Sequence, residues 1–113
     1  MSGLYWNSEG KYQNEHDALH SRLVPGEGKA QTSHGELLRC ATNIYYDWYN
    51  NGGCNFDVRG PHFGFLAWAA DDDEEREALI KRIRQKKATD ADYDALMDWA
   101  ITEAMKAEGM PVP

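Results

Sequence analysis

The sequence predicts an all-α fold, a compact bundle of about four helices plus one short buried helix. Three observations favour this fold class. Apolar residues recur at three- and four-residue spacing in several stretches, which is the helical period. Capping residues lie at the ends of these stretches. A chain of 113 residues is long enough to bury a real core, so we expect a single helical domain over 1–113.

The N-terminal part of the chain predicts an arm, a helix and a loop. Residues 1–12 lack a helical period, and we expect an extended arm whose aromatic side chains lie across the core. A helix then begins at an Asn14 cap and runs to about Val24. Pro25 ends it, since the residue before a proline avoids the α region, and residues 25–29 form an exposed loop.

The central stretch, 33–53, predicts the longest well-bounded amphipathic helix. Ser33 and Glu36 have the spacing of a capping box, and the Asn and Gly residues at 50–53 tolerate the left-handed conformation of a C-cap. One face is an apolar stripe made of Leu37, Leu38, Ala41, Ile44, Tyr45, Trp48 and Tyr49. A second face is a polar ladder made of Glu36, Arg39, Asn43 and Asp47. That ladder is either a solvated face or a binding site.

Three further helices complete the prediction. Pro61 starts a short helix through Ala70 that is apolar nearly all round, so we expect it to be buried between others. A strand is disfavoured there because the segment has no β-branched residue. The fourth helix has acidic residues at its start, from Asp71, and basic residues at its end, as the helix dipole favours. Thr89 and Asp92 form a capping box for the last helix, which ends at about 108.

Composition limits the partners and the compartment. A net charge of −7 and a pI near 4.9 argue against direct binding to nucleic acid. The acidity suits a basic partner, imitates the charge of a nucleic acid, or serves only solubility. No run approaches the roughly eighteen apolar residues of a membrane span, and no signal peptide is visible, so cytoplasmic residence in the host cell is the default expectation. Cys40 and Cys54 are then expected to be free thiols.

The residues capable of chemistry form no strong motif. His16 and His20 are four residues apart, and with Asp17 they make HDALH, which is superficially similar to the HExxH zinc signature. A zinc enzyme would also need a third ligand, and no spacing marks one. Cys40 lies among apolar neighbours like an inert buried thiol. We therefore expect no catalytic residue, no cofactor and no metal, with His16 and His20 as weak metal candidates.

Two segments carry a resemblance to known proteins. HGELLR at 34–39 and IYYDWYNNGGCN at 44–55 resemble a set of small proteins from phages and prophages. The aromatic YWN at 5–7 extends the resemblance, which directly covers about a fifth of the chain. It implies a setting and no catalytic residue: an accessory protein of a mobile element. By analogy, such a protein binds and blocks host machinery, including CRISPR–Cas complexes.

Three hypotheses for function follow. The leading one is a non-enzymatic, acidic phage-type protein that binds a host or phage protein, including inhibition of a host defence complex. The second is a small metal-dependent enzyme using His16 and His20. The third is a structural or assembly protein that self-associates as a homodimer. The candidate partner-binding residues are Glu36, Arg39, Asn43, Tyr46, Asp47, Tyr49, Asn50 and Asn51.

Overall fold

A computed structural model describes residues 13–24, 30, 32–50 and 61–111. Five α-helices run through this part of the chain: α1 Gln13–Leu23, α2 Ser33–Asn50, α3 Pro61–Ala69, α4 Glu74–Arg84 and α5 Asp90–Ala107. The predicted all-α bundle, with four longer helices and one short one, is confirmed. The predicted 1–12 arm, the 25–29 loop, Asn51 and Cys54 lie outside the described residues. The assignment of the whole chain to one domain stays a prediction.

The start of α2 differs from the prediction by one residue. Ser33 is the first helical residue, and the capping group is the Thr32 hydroxyl, which accepts a hydrogen bond from the Gly35 amide at 3.0 Å. A Cβ on Gly35 would lie 2.8 Å from that hydroxyl oxygen, so a residue without a side chain makes room for the cap. Glu36 pairs with Arg39 instead of closing a capping box on Ser33.

The start of α1 also differs from the prediction. The helix begins at Gln13, so Asn14 lies inside the helix and does not cap it. The other end agrees, because the last turn closes with the Val24 amide donating to the His20 carbonyl at 2.9 Å, directly before Pro25.

The two longest helices, α2 and α5, form the most extensive interface of the bundle. α1 packs against both of them, α3 packs against α2 and α4, and α4 packs against α5. The core is mainly aliphatic: Leu38, Met97 and Ile101 have 0% exposure. Trp48 from α2 stacks on Tyr93 from α5, with 4.3 Å between ring centroids and 9° between ring planes. This stack joins the two helices beside the aliphatic core.

The short helix α3 is buried on one side only. Phe63 and Leu66 reach the core with 1% and 0% exposure, as predicted. Trp68, expected to be buried with them, is 66% exposed. The reason is that α3 contacts α2 and α4 from one side, and no other described helix packs on its far side.

The acidic run before α4 is a turn and a cap. The Asp73 side chain accepts from the Arg76 amide at 3.1 Å, so the helix begins at Glu74 and not at Asp71. Asp72 has a backbone φ of 68°, a left-handed conformation that Asp tolerates better than most residues. The predicted Thr89–Asp92 capping box of α5 is present with both of its hydrogen bonds.

An ion pair then links α4 to α5. Arg82 donates to both carboxylate oxygens of Asp92, at 2.9 and 3.1 Å. The hydrogen bond from Arg82 is the main reason that the pKa of Asp92 lies below its usual value. Among the described helices, none is long and apolar enough to cross a membrane.

Candidate partner-binding surface

Two tyrosines at the C-terminal half of α2 project into solvent. Tyr46 and Tyr49 are each 55% exposed, and their three-residue spacing puts them on one side of the helix. We call this pair the tyrosine face. Tyr49 was also predicted to lie on the apolar stripe, and there the structure corrects the prediction: the stripe is buried through Tyr45 but not at Tyr49.

Tyr49 in the tyrosine face is backed by a continuous series of aromatic contacts. Tyr49 stacks on Tyr45 with 6.3 Å between ring centroids and 13° between planes. Tyr45, only 2% exposed, meets Trp48 edge-on at 5.3 Å, and Trp48 stacks on Tyr93 in α5. An exposed ring supported in this way loses little conformational freedom when it binds a partner, which is the property of an interface anchor.

Three aspartates on α5 form an acidic ladder, defined as Asp90, Asp94 and Asp98. Their four-residue spacing places them on one face of the helix. Burial, followed by the charges of Asp98 and Asp90, raises the pKa of Asp94 from 3.8 to about 6. Repulsion within the ladder therefore opposes ionisation of its central carboxylate.

The acidic ladder lies beside the aromatic series. Burial raises the pKa of the Tyr45 phenol, and the charges of Asp94, Tyr49 and Asp90 raise it further. An aspartate can act on the phenol in this way only when it is close to it. The sequence reasoning missed the ladder as part of a site, although the four-residue spacing of the aspartates away from the apolar stripe was a visible signal.

The first two residues of the predicted polar ladder of α2 pair with each other. Glu36 and Arg39 form an ion pair, with side-chain exposures of 15% and 21%. The hydrogen bond that Arg39 donates to Glu36 is the main cause that raises the pKa of Arg39. Asn43 and Asp47 are half-buried. The side chain of Asn50 and all of Asn51 lie outside the described residues.

The two metal candidates lie close together, and His16 already has polar partners within the chain. The rings of His16 and His20 are 5.5 Å apart, centroid to centroid. His16 is 5% exposed; its Nε2 contacts the Thr42 hydroxyl and its Nδ1 contacts Asp17 Oδ1, both at 3.1 Å. Burial lowers the pKa of His16, and Asp17 opposes that shift. In the described part of the chain no three potential ligands converge, so the zinc hypothesis gains no support from the geometry.

The Thr42 hydroxyl determines how His16 is held. It donates to the Leu38 carbonyl at 2.7 Å. Because a hydroxyl has one proton, it accepts from His16 Nε2, which must carry a hydrogen. His16 in α1 thus forms a hydrogen bond to Thr42 in α2, and its role is structural.

We expect Thr42→Val to lower the free energy of unfolding by about 1–2 kcal/mol more than Thr102→Val. Thr102 makes the same local bond, donating to the Asp98 carbonyl at 2.7 Å, so this control removes the back-bond alone. Only Thr42→Val also leaves the buried His16 nitrogen without its acceptor. Urea denaturation followed by circular dichroism gives both values. Equal losses in the two variants would contradict the role assigned to His16.

Cys40 does not carry reactivity. It is 1% exposed, and burial raises the pKa of its thiol to about 11. At neutral pH such a group is protonated and is a poor nucleophile. This agrees with the prediction of an inert buried thiol.

No family model, curated protein or solved structure matches this chain. The tyrosine face beside the acidic ladder is the candidate site that the geometry supports best.

Proposed function

We propose that this protein acts by binding a protein partner through the tyrosine face. The observation that carries the proposal is the 55% exposure of Tyr46 and of Tyr49 on one side of α2. Tyrosine is enriched at protein interfaces because its ring buries apolar area while its hydroxyl still forms hydrogen bonds. Partly exposed rings supported by a packed aromatic series are typical anchors of such contacts.

Electrostatics indicate a basic partner. The chain has a net charge of −7, and the acidic ladder next to the tyrosine face holds one carboxylate whose pKa is raised to about 6. Lysine or arginine side chains brought to this place by a partner would relieve the repulsion. Complementary charge also accelerates association and makes it sensitive to salt.

The resemblance of 34–39 and 44–55 to phage and prophage proteins guides the choice of partner. We propose a host or phage protein, and a host defence complex such as CRISPR–Cas is the first candidate to test. Blocking such a complex requires stoichiometric binding and no catalytic residue.

We expect Tyr46→Ala combined with Tyr49→Ala to reduce capture of the partner about tenfold or more, as loss of an interface anchor does. Tagged protein is incubated with a bacterial host lysate at low and moderate salt, and the captured proteins are quantified by mass spectrometry. The control combines Ser21→Ala on α1 with Gln85→Ala at the C-cap of α4, and both residues are exposed and uncharged.

Three outcomes are informative. A near-stoichiometric protein that is lost in the tyrosine variant, retained in the control and weakened by salt supports the proposal. Equal capture by the two variants contradicts it. A concentration-dependent homodimer that disappears in the tyrosine variant, with no captured partner, would replace it with self-association.

A further inference from the structure

A second surface lies at the other end of α2. Trp68 is 66% exposed, more than any other large hydrophobic side chain in the described residues. Together with Phe65, 5.4 Å away between ring centroids, it lines a cavity of about 320 Å³ that also contacts His34. His34 and Tyr46 are twelve residues apart on α2, or about 18 Å along the helix axis. This surface is therefore separate from the tyrosine face.

The floor of this cavity already holds a guanidinium group. The Arg76 guanidinium carbon lies 5.0 Å from the centroid of the Trp99 ring. Its nitrogens pair with Glu103 at 3.1 Å and with Asp73 at 3.4 Å. Arg76 and Trp99 line this cavity and also a larger groove of about 540 Å³ between α4 and α5, so the two depressions meet at this pair. The local chemistry, an indole face flanked by carboxylates, suits arginine.

Carboxylates follow the exposed Trp68 directly in the chain, and no described cation lies over its indole ring. The Asp71 amide donates to the Trp68 carbonyl at 3.2 Å, so the acidic turn begins beside Trp68. Four exposed carboxylates follow in this turn and the first turn of α4: Asp71, Asp72, Glu74 and Glu75. None of the four forms an ion pair with another described residue. Their charge is therefore uncompensated locally and complementary to a basic ligand.

We propose that this surface binds an arginine side chain from a basic segment of a partner protein. The guanidinium lies against the Trp68 indole and pairs with the carboxylates of the acidic turn. This repeats the arrangement that Arg76 makes with Trp99. The methylene groups of this arginine side chain pack along Phe65 and the apolar wall of the cavity. The site is additional to the tyrosine face and does not depend on it.

The test uses the whole protein and a short fluorescein-labelled peptide of alternating arginine and alanine residues. A second peptide, with citrulline in place of every arginine, keeps the shape and removes the charge. Binding is followed by fluorescence anisotropy at low ionic strength. We expect the arginine peptide to bind, the citrulline peptide to bind at least tenfold more weakly, and added salt to weaken the first.

Three variants locate the binding. Trp68→Ala is expected to raise Kd for the arginine peptide about fivefold, as loss of a cation–π contact does. Glu75→Gln and Glu77→Gln remove the same charge from the same helix. Glu75 lines the groove next to Arg76, whereas Glu77 lines a different depression. We expect Glu75→Gln to raise Kd about threefold, and Glu77→Gln to raise it clearly less.

The outcomes that would overturn the proposal are distinct. Absence of arginine-dependent binding overturns it. Equal effects of Glu75→Gln and Glu77→Gln, with no effect of Trp68→Ala, would show a diffuse attraction to the acidic chain. A dimer abolished by Trp68→Ala, without peptide binding, would make a second copy of the chain the occupant. If Trp68→Ala does not fold, Trp68→Phe and the glutamate pair still decide the question.

Discussion

Replacing Tyr93 by alanine is expected to lower the free energy of unfolding by about 4 kcal/mol, the largest effect predicted here. Tyr93 is 2% exposed and lies in the interface between the two longest helices. The substitution removes most of its buried apolar area, leaves a cavity, and removes the stack on Trp48 at 4.3 Å. A domain of this size is typically stable by about 5–15 kcal/mol, so the variant would be close to its stability limit.

Tyr93→Phe is the matched control. It keeps the ring and its stack on Trp48, and we expect a loss of about 1 kcal/mol or less. Urea denaturation followed by circular dichroism at 222 nm measures the three proteins. A loss below about 2 kcal/mol in Tyr93→Ala would show that the stack contributes little to the packing of α2 on α5.

We expect Tyr93→Ala to affect the tyrosine face as well. Trp48 lies between Tyr93 and Tyr45, and Tyr45 supports Tyr49. We therefore expect partner binding to weaken in Tyr93→Ala even under conditions where the variant is folded, and to be retained in Tyr93→Phe. The aromatic series thus couples core packing to the candidate surface.

Asp94→Asn is expected to stabilise the protein by about 1 kcal/mol at pH 7.5. Burial and the neighbouring charges of Asp98 and Asp90 raise the pKa of Asp94 to about 6, so the ionised carboxylate is unfavourable in the folded state. Asparagine has nearly the same shape and no charge. The carboxylate is only half-buried, and solvent screening keeps the expected effect to about 1 kcal/mol.

The pH dependence provides a stricter test. A folded-state pKa raised from 3.8 to about 6 means that the folded protein binds a proton more tightly than the unfolded chain. The stabilisation by that proton is complete below about pH 4 and is lost as the pH rises through 6. The difference between wild type and Asp94→Asn should therefore be largest at pH 7.5 and vanish near pH 4.

The control for this experiment is Glu77→Gln, an exposed carboxylate on α4 that lies outside the acidic ladder. We expect it to change the free energy of unfolding by less than about 0.5 kcal/mol at both pH values. An Asp94→Asn difference that is the same at pH 7.5 and pH 4, or that has the opposite sign, would contradict the raised pKa of Asp94 in the folded state.

Local sequence features determined the helices and several of their ends. The capping box of α5 depends on Thr89 and Asp92, which are three residues apart and need no distant partner. The apolar stripe of α5 is equally local, since one face of a helix is defined by the 3.6-residue period. Its members recur at one-, three- and four-residue spacing and are all buried: Tyr93, Leu96, Met97, Ala100, Ile101, Ala104 and Met105. Trp99 lies just beside that stripe and is 5% exposed, and Arg76 from α4 lies over its ring.

The start of α2 shows where local features compete. Thr32 and Ser33 both carry a hydroxyl suited to a cap, and Ser33 has a carboxylate three residues later. Thr32 prevails because Gly35 gives its hydroxyl room, and because Arg39 provides a stronger partner for Glu36 than the Ser33 amide does. When two adjacent residues are both suited to cap a helix, only the packed structure decides which of them does so.

The sequence by itself determined the all-α class, the order and approximate bounds of the helices, the absence of a strong catalytic motif and the acidic character of the chain. Only the tertiary structure decided which aromatic residues face solvent. Tyr45 and Tyr49, or Phe63 and Trp68, belong to the same apolar patterns, yet one member of each pair is buried and the other exposed. The physical reason is that burial depends on whether another helix covers a given side. That coverage is set by contacts between residues far apart in the chain, which no local spacing records.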